Sequence, residues 1–321
     1  MTAPPVRYTT FPNPLAEKGG AMAAQKIGVI GLGSMGLGIA RSLLRAGHRV
    51  WGHDLNPAQV VRLRDEGAEA ETPRQAAARL DALVSVVLNA AQTEAILFGP
   101  EGIAPHLPKG TVVLSCATVP PDFARDMARR CADLGLHYLD APISGGAVKA
   151  AAGELTIMAS GPGAAFDAAE PVLKAIAASV FRLGEAAGAG SAMKAVNQML
   201  AGIHIAAMAE ALTFGLTQGV APETFLAVIS KSAGTSWMLE NRAPHVIAGD
   251  YTPRSSIDIW PKDLGIVLDI ARAAGFPAPI TEAALARFQD AAAQGLGAED
   301  DAAVVKVYAR AAGLALPGED A

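Results

Sequence analysis

Four segments of this 321-residue chain set polar residues in glycine-rich or apolar surroundings, and their residue types define the chemistry on offer. The first is Gly31-Leu32-Gly33-Ser34-Met35-Gly36, which follows an apolar run and opens a helical one. In that context Gly31 permits a tight turn, Gly33 lets the backbone approach a pyrophosphate, and Gly36 lets helix and strand pack closely. The free N–H groups and positive dipole end of the helix then suit phosphates. Asp54 closes the next strand, about 20 residues on, where an acid meets ribose hydroxyls and repels a 2′-phosphate. NAD is therefore expected over NADP. The alternative for Asp54 is to cap the turn at Asn56 and Pro57. Arg62 and Arg64, one or two turns later, read as surface helix residues.

The second segment is DAPISGG at 140–146, the third GAGSAMKAVNQ at 188–198, and the fourth WPKDLG at 260–265. Hydroxyl and backbone N–H groups in the turn at Ser144, Gly145 and Gly146 suit a carboxylate, with glycine allowing close approach. Lys194 lies in an Ala-rich helix. A lysine there either snorkels to solvent or, with its pKa lowered by burial or a nearby positive charge, takes the proton of a carbinol whose hydride is leaving. Arg242 and Arg254 are open between substrate recognition and ion pairing, and Trp237 and Trp260 between pocket wall and core. His204 reads as a packed histidine and Cys116 as a small strand hydrophobe.

These residues need elements to hold them. Strand signals fall at 26–30, 49–54, 82–88, 111–114, 136–139, 155–159 and 179–183, with helices at 35–46, 57–66 (capped by Asn56) and 121–134. The alternation predicts an α/β Rossmann domain over 26–187 with a mostly parallel sheet. From Gly188 the strands vanish and an all-α domain over 188–321 follows. Its first helix, 190–218, would run roughly 40 Å at 1.5 Å per residue. That helix is apolar on nearly every side, which predicts burial between domains or subunits and hence a homodimer or homotetramer. Shorter helices are expected at 222–231, 236–248, 263–274, 280–294 and 299–312, with Pro261 placed at a helix start. Residues 1–25, with prolines at 4, 5, 12 and 14, read as a flexible tail, and Met22 is a candidate start.

Bulk properties exclude several classes. With 51% hydrophobic and 18% charged residues the chain is globular. A net charge of -5 with no basic cluster argues against nucleic acid. The two cysteines, Cys116 and Cys131, suit neither a metal site nor a disulfide framework and fit the reducing cytoplasm. No apolar run of about 18 residues lacks charge or Gly/Pro breaks, so no membrane span is expected.

Taken together and in order, the four motifs resemble the β-hydroxyacid dehydrogenase family, which includes 3-hydroxyisobutyrate dehydrogenase and tartronate semialdehyde reductase, over nearly all of residues 26–312. The resemblance implies an NAD-dependent oxidoreductase acting on a small hydroxy acid. Stretches at 140–161, 193–210 and 236–265 are similar to members that oxidise L-threonate, a four-carbon sugar acid. It implies Lys194 as catalytic acid/base, Ser144, Gly145 and Gly146 as the carboxylate loop, and Asn197 as a substrate-positioning amide, with Gln198 beside it an equal candidate. It implies Thr118 beside the nicotinamide, Leu88 and Asn89 flanking the cofactor at the end of the third strand, and Lys262 with Asp263 closing over it. Pro261 departs from the small aliphatic residue expected before Lys262. Hydroxyisobutyrate oxidation and reduction of tartronate or succinic semialdehyde are the alternative activities, and a non-catalytic NAD-binding protein the alternative class.

Overall fold

The computed structural model describes residues 7–10 and 24–317; the four prolines of the N-terminal segment and Met22 lie outside them. The strands are β1 (Arg7–Thr10), β2 (Lys26–Ile30), β3 (Arg49–His53), β4 (Ala82–Ser85), β5 (Val112–Ser115), β6 (His137–Asp140), β7 (Ile143–Ser144), β8 (Leu155–Ala159) and β9 (Ala177–Arg182). Five of them form an all-parallel sheet in the order β3-β2-β4-β5-β6. Every residue of β4 and β5 is buried, as expected where helices cover both faces of a parallel sheet. The crossover helices include Gly36–Arg45, Pro57–Asp65, Ala90–Phe98 and Pro121–Asp133. The neighbours of β2 lie on opposite sides of it, so the strand order reverses there, and ligands of open α/β sheets bind beyond the strand ends at such a point.

A second sheet runs β1-β9-β8-β7, with β8 and β9 parallel and the two outer strands antiparallel. The expected flexible tail is corrected here: Arg7–Thr10 pairs residue by residue with 179–182. β9 would otherwise be an edge with unpaired backbone groups, and the residue types Tyr8, Thr9 and Thr10 favour a strand. The two-residue β7 and the helices at Gly146–Ala152 and Gly163–Ile176 are also absent from the sequence reading.

The chain forms two compact units, divided after Lys194. The helix Ala189–Thr217 runs unbroken through that point. Its first turn belongs to the first unit because the buried Asp140 carboxylate holds it there. In the second unit the same helix supplies Ile205, Met208 and Leu212 to a core shared with Trp260, Leu264, Phe288 and Val305. By length and apolarity it is the one described helix able to cross a membrane, with 39% of its most apolar window buried. Burial all round is thus not met within one chain: Met193, Val196, Leu200 and Phe214 are exposed.

The remaining helices are Pro222–Ile229, Trp237–Ala248, Ile259–Ala273, Pro279–Ala291 and Val305–Ala312. The fourth motif's helix begins two residues before Pro261. Proline is tolerated there because first-turn N–H groups have no partner inside the helix. Arg242 and Arg254 prove to be ion-pair residues. Arg242 Nε donates to Asp301 Oδ1 at 2.5 Å and its Nη2 to Oδ2 at 3.2 Å, while Arg254 Nη2 donates to Asp250 at 2.9 Å. Trp260 is core: it stacks on Phe288 with centroids 5.3 Å apart and donates Nε1–H to Asp301 Oδ2. Trp237 is exposed. Removing the guanidinium strands a buried carboxylate, so Arg242→Met should destabilise the second unit by about 3 kcal/mol. Urea unfolding followed by tryptophan fluorescence measures this, and an unshifted midpoint would show that the pair is not structural.

Candidate active site

Apart from Lys194, which lies on the long helix, each expected site residue of the first unit follows the carboxyl end of a parallel strand. The glycine turn follows β2, Asp54 follows β3, Leu88 and Asn89 follow β4, Thr118 follows β5, and Ser144 lies just past β6. Five strand ends thus deliver the residues to one edge of the sheet.

The glycine turn is built as its sequence requires. Gly31 has φ +92°, and a Cβ there would lie 2.1 Å from Val86 O. A Cβ on Gly36 would lie 1.8 Å from Gly31 O, so helix Gly36–Arg45 starts in contact with the turn itself. Gly33 differs, because nothing lies within 4 Å of its Cβ position. That open space over a helix N-terminus fits the pyrophosphate of a dinucleotide. Asp54 caps the turn at Asn56 and also braces the glycine turn: Oδ2 accepts from Leu32 N at 2.6 Å and Oδ1 from Asn56 N at 2.8 Å. The carboxylate is thereby locked against the glycine turn with lone pairs left for ribose hydroxyls. Arg62 lies on the surface, paired with Glu66 at 3.7 Å, and Arg64 is exposed.

Leu88 and Asn89 correct the sequence reading in one respect. The strand ends at Ser85, and both residues belong to a helix entrance, where Asn89 Oδ1 accepts from Gln92 N and Leu88 N donates to Gln92 Oε1. Leu88 is 59% exposed. Thr118 is half-buried between the buried Ala117 and Val119.

The second motif forms the turn that the Ser-Gly-Gly sequence implies. Gly145 has φ +132° and Gly146 φ +73°, conformations that favour glycine. The short helix after it packs against the dinucleotide helix: Ser42 Oγ donates to Ala150 O at 3.0 Å, and a Cβ on Gly38 would lie 2.7 Å from Ala151 N. The Ser-Gly-Gly turn and the glycine turn are therefore parts of one packed assembly.

Lys194 is 8% exposed, and its Nζ donates to Ile143 O at 3.0 Å, the residue before Ser144. Its helix is held by Asp140, which the sequence shows only as the head of the second motif. Asp140 Oδ2 accepts from Gly188 N (2.9 Å), Ser191 N (2.9 Å) and Ser160 Oγ (3.1 Å), and Oδ1 accepts from Ser191 Oγ (2.7 Å). Gly190 N donates in turn to Ser160 Oγ. Burial pushes the Asp140 carboxyl up, against the pull of these donors. A Cβ on Gly190 would lie 2.4 Å from Met158 O, so the helix start sits directly on backbone. The anion at a helix N-terminus is favourably placed.

In the second unit Asn197 is half-buried and Gln198 is 8% exposed. Of the two amides, Gln198 is turned inward onto Asp263 and Asn197 is the more open. Lys262 Nζ lies 2.5 Å from Asp263 Oδ1, an electrostatic contact lacking hydrogen-bond alignment. His204 is half-buried. Cys116 and Cys131 are buried thiols, each pushed up to about 12 by burial. Among the described residues no group of three His, Cys, Asp or Glu side chains converges as a metal site.

Two family models match in succession: the NAD binding domain of 6-phosphogluconate dehydrogenase over residues 26–184, and the NAD-binding of NADP-dependent 3-hydroxyisobutyrate dehydrogenase over 188–308. The chain is 52% identical over 297 residues to an L-threonate dehydrogenase of Cupriavidus necator, covering 92% of this chain and 99% of that one. The chain belongs to the 3-hydroxyisobutyrate dehydrogenase family. It is also 35% identical over 269 residues to the 3-hydroxyisobutyrate dehydrogenase of Pseudomonas aeruginosa, covering 81% of this chain and 89% of the other. A crystal structure described as 3-hydroxyisobutyrate dehydrogenase from Salmonella typhimurium superposes with a TM-score of 0.83 at 48% identity, covering 88% and 99%. As a member of this family the chain is an NAD-binding dehydrogenase.

The space over Gly33 gives a direct check. Gly33→Ala meets no protein atom, so stability should change by less than about 0.5 kcal/mol. The added methyl fills the pyrophosphate cradle, so the Kd for NAD should rise roughly tenfold, or ~1.4 kcal/mol. Calorimetric titration and thermal melting of the same variant read both.

Proposed function

We propose that this dehydrogenase oxidises a small hydroxy acid, L-threonate, to its 2-oxo acid with NAD. The observation that carries the reading is the buried Lys194 amine on Ile143 O, directly beside the turn at Ser144, Gly145 and Gly146. Bound NAD supplies the hydride acceptor. Gly31, Leu32, Gly33, Ser34, Met35 and Gly36 hold its phosphates, Asp54 its ribose, and Leu88, Asn89, Thr118 and Lys262 complete the cofactor contacts. Ser144 and the two glycines grip the substrate carboxylate through hydroxyl and backbone N–H groups. Asn197, one turn beyond Lys194 on the same helix, orients the substrate. As the carbinol C–H bond gives up its hydride, Lys194 Nζ takes the hydroxyl proton, so one hydride and one proton leave the acid and a ketone remains.

Asp54, fixed against the glycine turn, favours NAD over NADP because a 2′-phosphate would meet its charge. The substrate is proposed from the Cupriavidus relative. The Salmonella structure's description supports hydroxyisobutyrate as the second reading. Exposed Leu200, Phe214 and Ile280 support a homodimer or homotetramer, and two buried free thiols suit the cytoplasm.

Steady-state kinetics over sugar acids and hydroxyisobutyrate, with NAD and NADP in parallel, test the reading. Threonate with NAD should give the highest kcat/KM; hydroxyisobutyrate turning over fastest, with threonate inert, would replace the substrate. Lys194→Ala should cut kcat by about 10²–10⁴ while leaving the Kd for NAD unchanged. A variant retaining full turnover would remove the amine from the chemistry.

A further inference from the structure

The helical unit carries a groove of about 370 Å³ whose walls come from helices Ala189–Thr217 and Pro279–Ala291, joined by Tyr308. One wall is Ile203, Ala206, Ala207 and Glu210. The other is formed by Ile280, Ala283, Ala284 and Arg287. Each set follows the spacing i, i+3, i+4, i+7, which puts it on one face of its helix. The two segments also match place by place. IHIAAMAE at 203–210 and ITEAALAR at 280–287 share Ile at the first place and Ala at the fourth, fifth and seventh. They differ at the last, which is an acid on one wall and a base on the other.

Both charges act on Tyr308: burial pushes its phenol up to about 12, Glu210 adds to the rise and Arg287 opposes it. Arg287 makes a surface i, i+3 contact with Asp290 at 2.8 Å, a kind of pair worth little. Among the described residues no cation pairs with Glu210. The flanks are apolar. Ile280 is 66% exposed, and Phe214, one turn beyond Glu210, is 67% exposed. Monomeric proteins rarely leave such a stripe to water, and small side chains on both walls permit close helix packing. A wall ending in an acid is complemented by a wall of the same profile ending in a base, and this chain carries both. Under a two-fold axis the wall at 203–210 of one copy faces the wall at 280–287 of the other, and the reverse contact forms with it. We infer that this groove is the contact surface for a second copy of the chain, with Glu210 of each copy paired to Arg287 of the other. The inference rests on the reading of the chain as a homo-oligomer and names the surface and the ion pair that build it.

The test measures the mass of the full chain by sedimentation equilibrium. The native chain should be a dimer or a tetramer. Glu210→Arg and Arg287→Glu each set like charges opposite one another twice across the two-fold, and like-charge contacts at an interface are strongly unfavourable. Each variant should therefore show half the native mass where the native chain stays assembled. Mixed one to one, the two variants should regain the native mass, because the mixed pair has opposite charges at both contacts. Ala283→Arg sets a charge in the groove from an exposed position; it should also halve the mass, and it carries the test if either charge swap folds poorly. Variants that keep the native mass, or charge swaps that are halved and not restored on mixing, would overturn the inference while a native oligomer left the underlying reading intact. A monomeric native chain would overturn both, and one that also floated with phosphatidylcholine vesicles would give the face to a lipid surface.

Discussion

The site depends first on one buried carboxylate. Asp140 gathers two backbone N–H groups and two hydroxyls around the start of the helix that carries Lys194. Without it the first turn of that helix would bury unsatisfied donors. With it, the helix start is pressed onto β6 and β8 so closely that glycine is needed at 190. The amine's location is thereby set by the sheet and not by a loop. Ser144 and its glycines are tied to the same frame through the packing of helix Gly146–Ala152 on the dinucleotide helix. The Lys194 amine, the Ser-Gly-Gly turn and the glycine turn are held by shared backbone, the kind of preorganisation that the proposed proton transfer requires.

The long helix has a double character. Its opening residues serve the sheet unit and its later ones form the core of the helical unit, and it is unbroken between the two.

Much of this was legible in the sequence. The glycine turn, Asp54 and the parallel strands follow from local rules: φ-demanding glycines, period and length of apolar runs, and cap residues such as Asn56. Legibility fails where the cause is tertiary. Arg7–Thr10 is a strand only because β9 needs a partner. Leu88 and Asn89 look like a strand end, yet Asn89 caps a helix. Arg242 carries no local mark separating an ion-pair residue from a substrate ligand; its partner Asp301 is 59 residues away. Asp140 reads as the polar end of a strand, and nothing nearby announces that its four donors come from residues 160, 188 and 191.

Asp140 meets Ser191 and Ile143 meets Lys194, each pair 51 residues apart. Three steps along one segment match three steps along the other, so the two contacts form consecutive rungs of a single ladder. Lengthening the chain anywhere between the rungs' two sides, in the surface turns joining β8, β9 and the helix, would alter both separations equally and leave the ladder aligned. An insertion of even one residue inside 140–143 or 191–194 would shear it. Length changes should therefore be borne by the surface turns between these elements and not by 140–143 or 191–194.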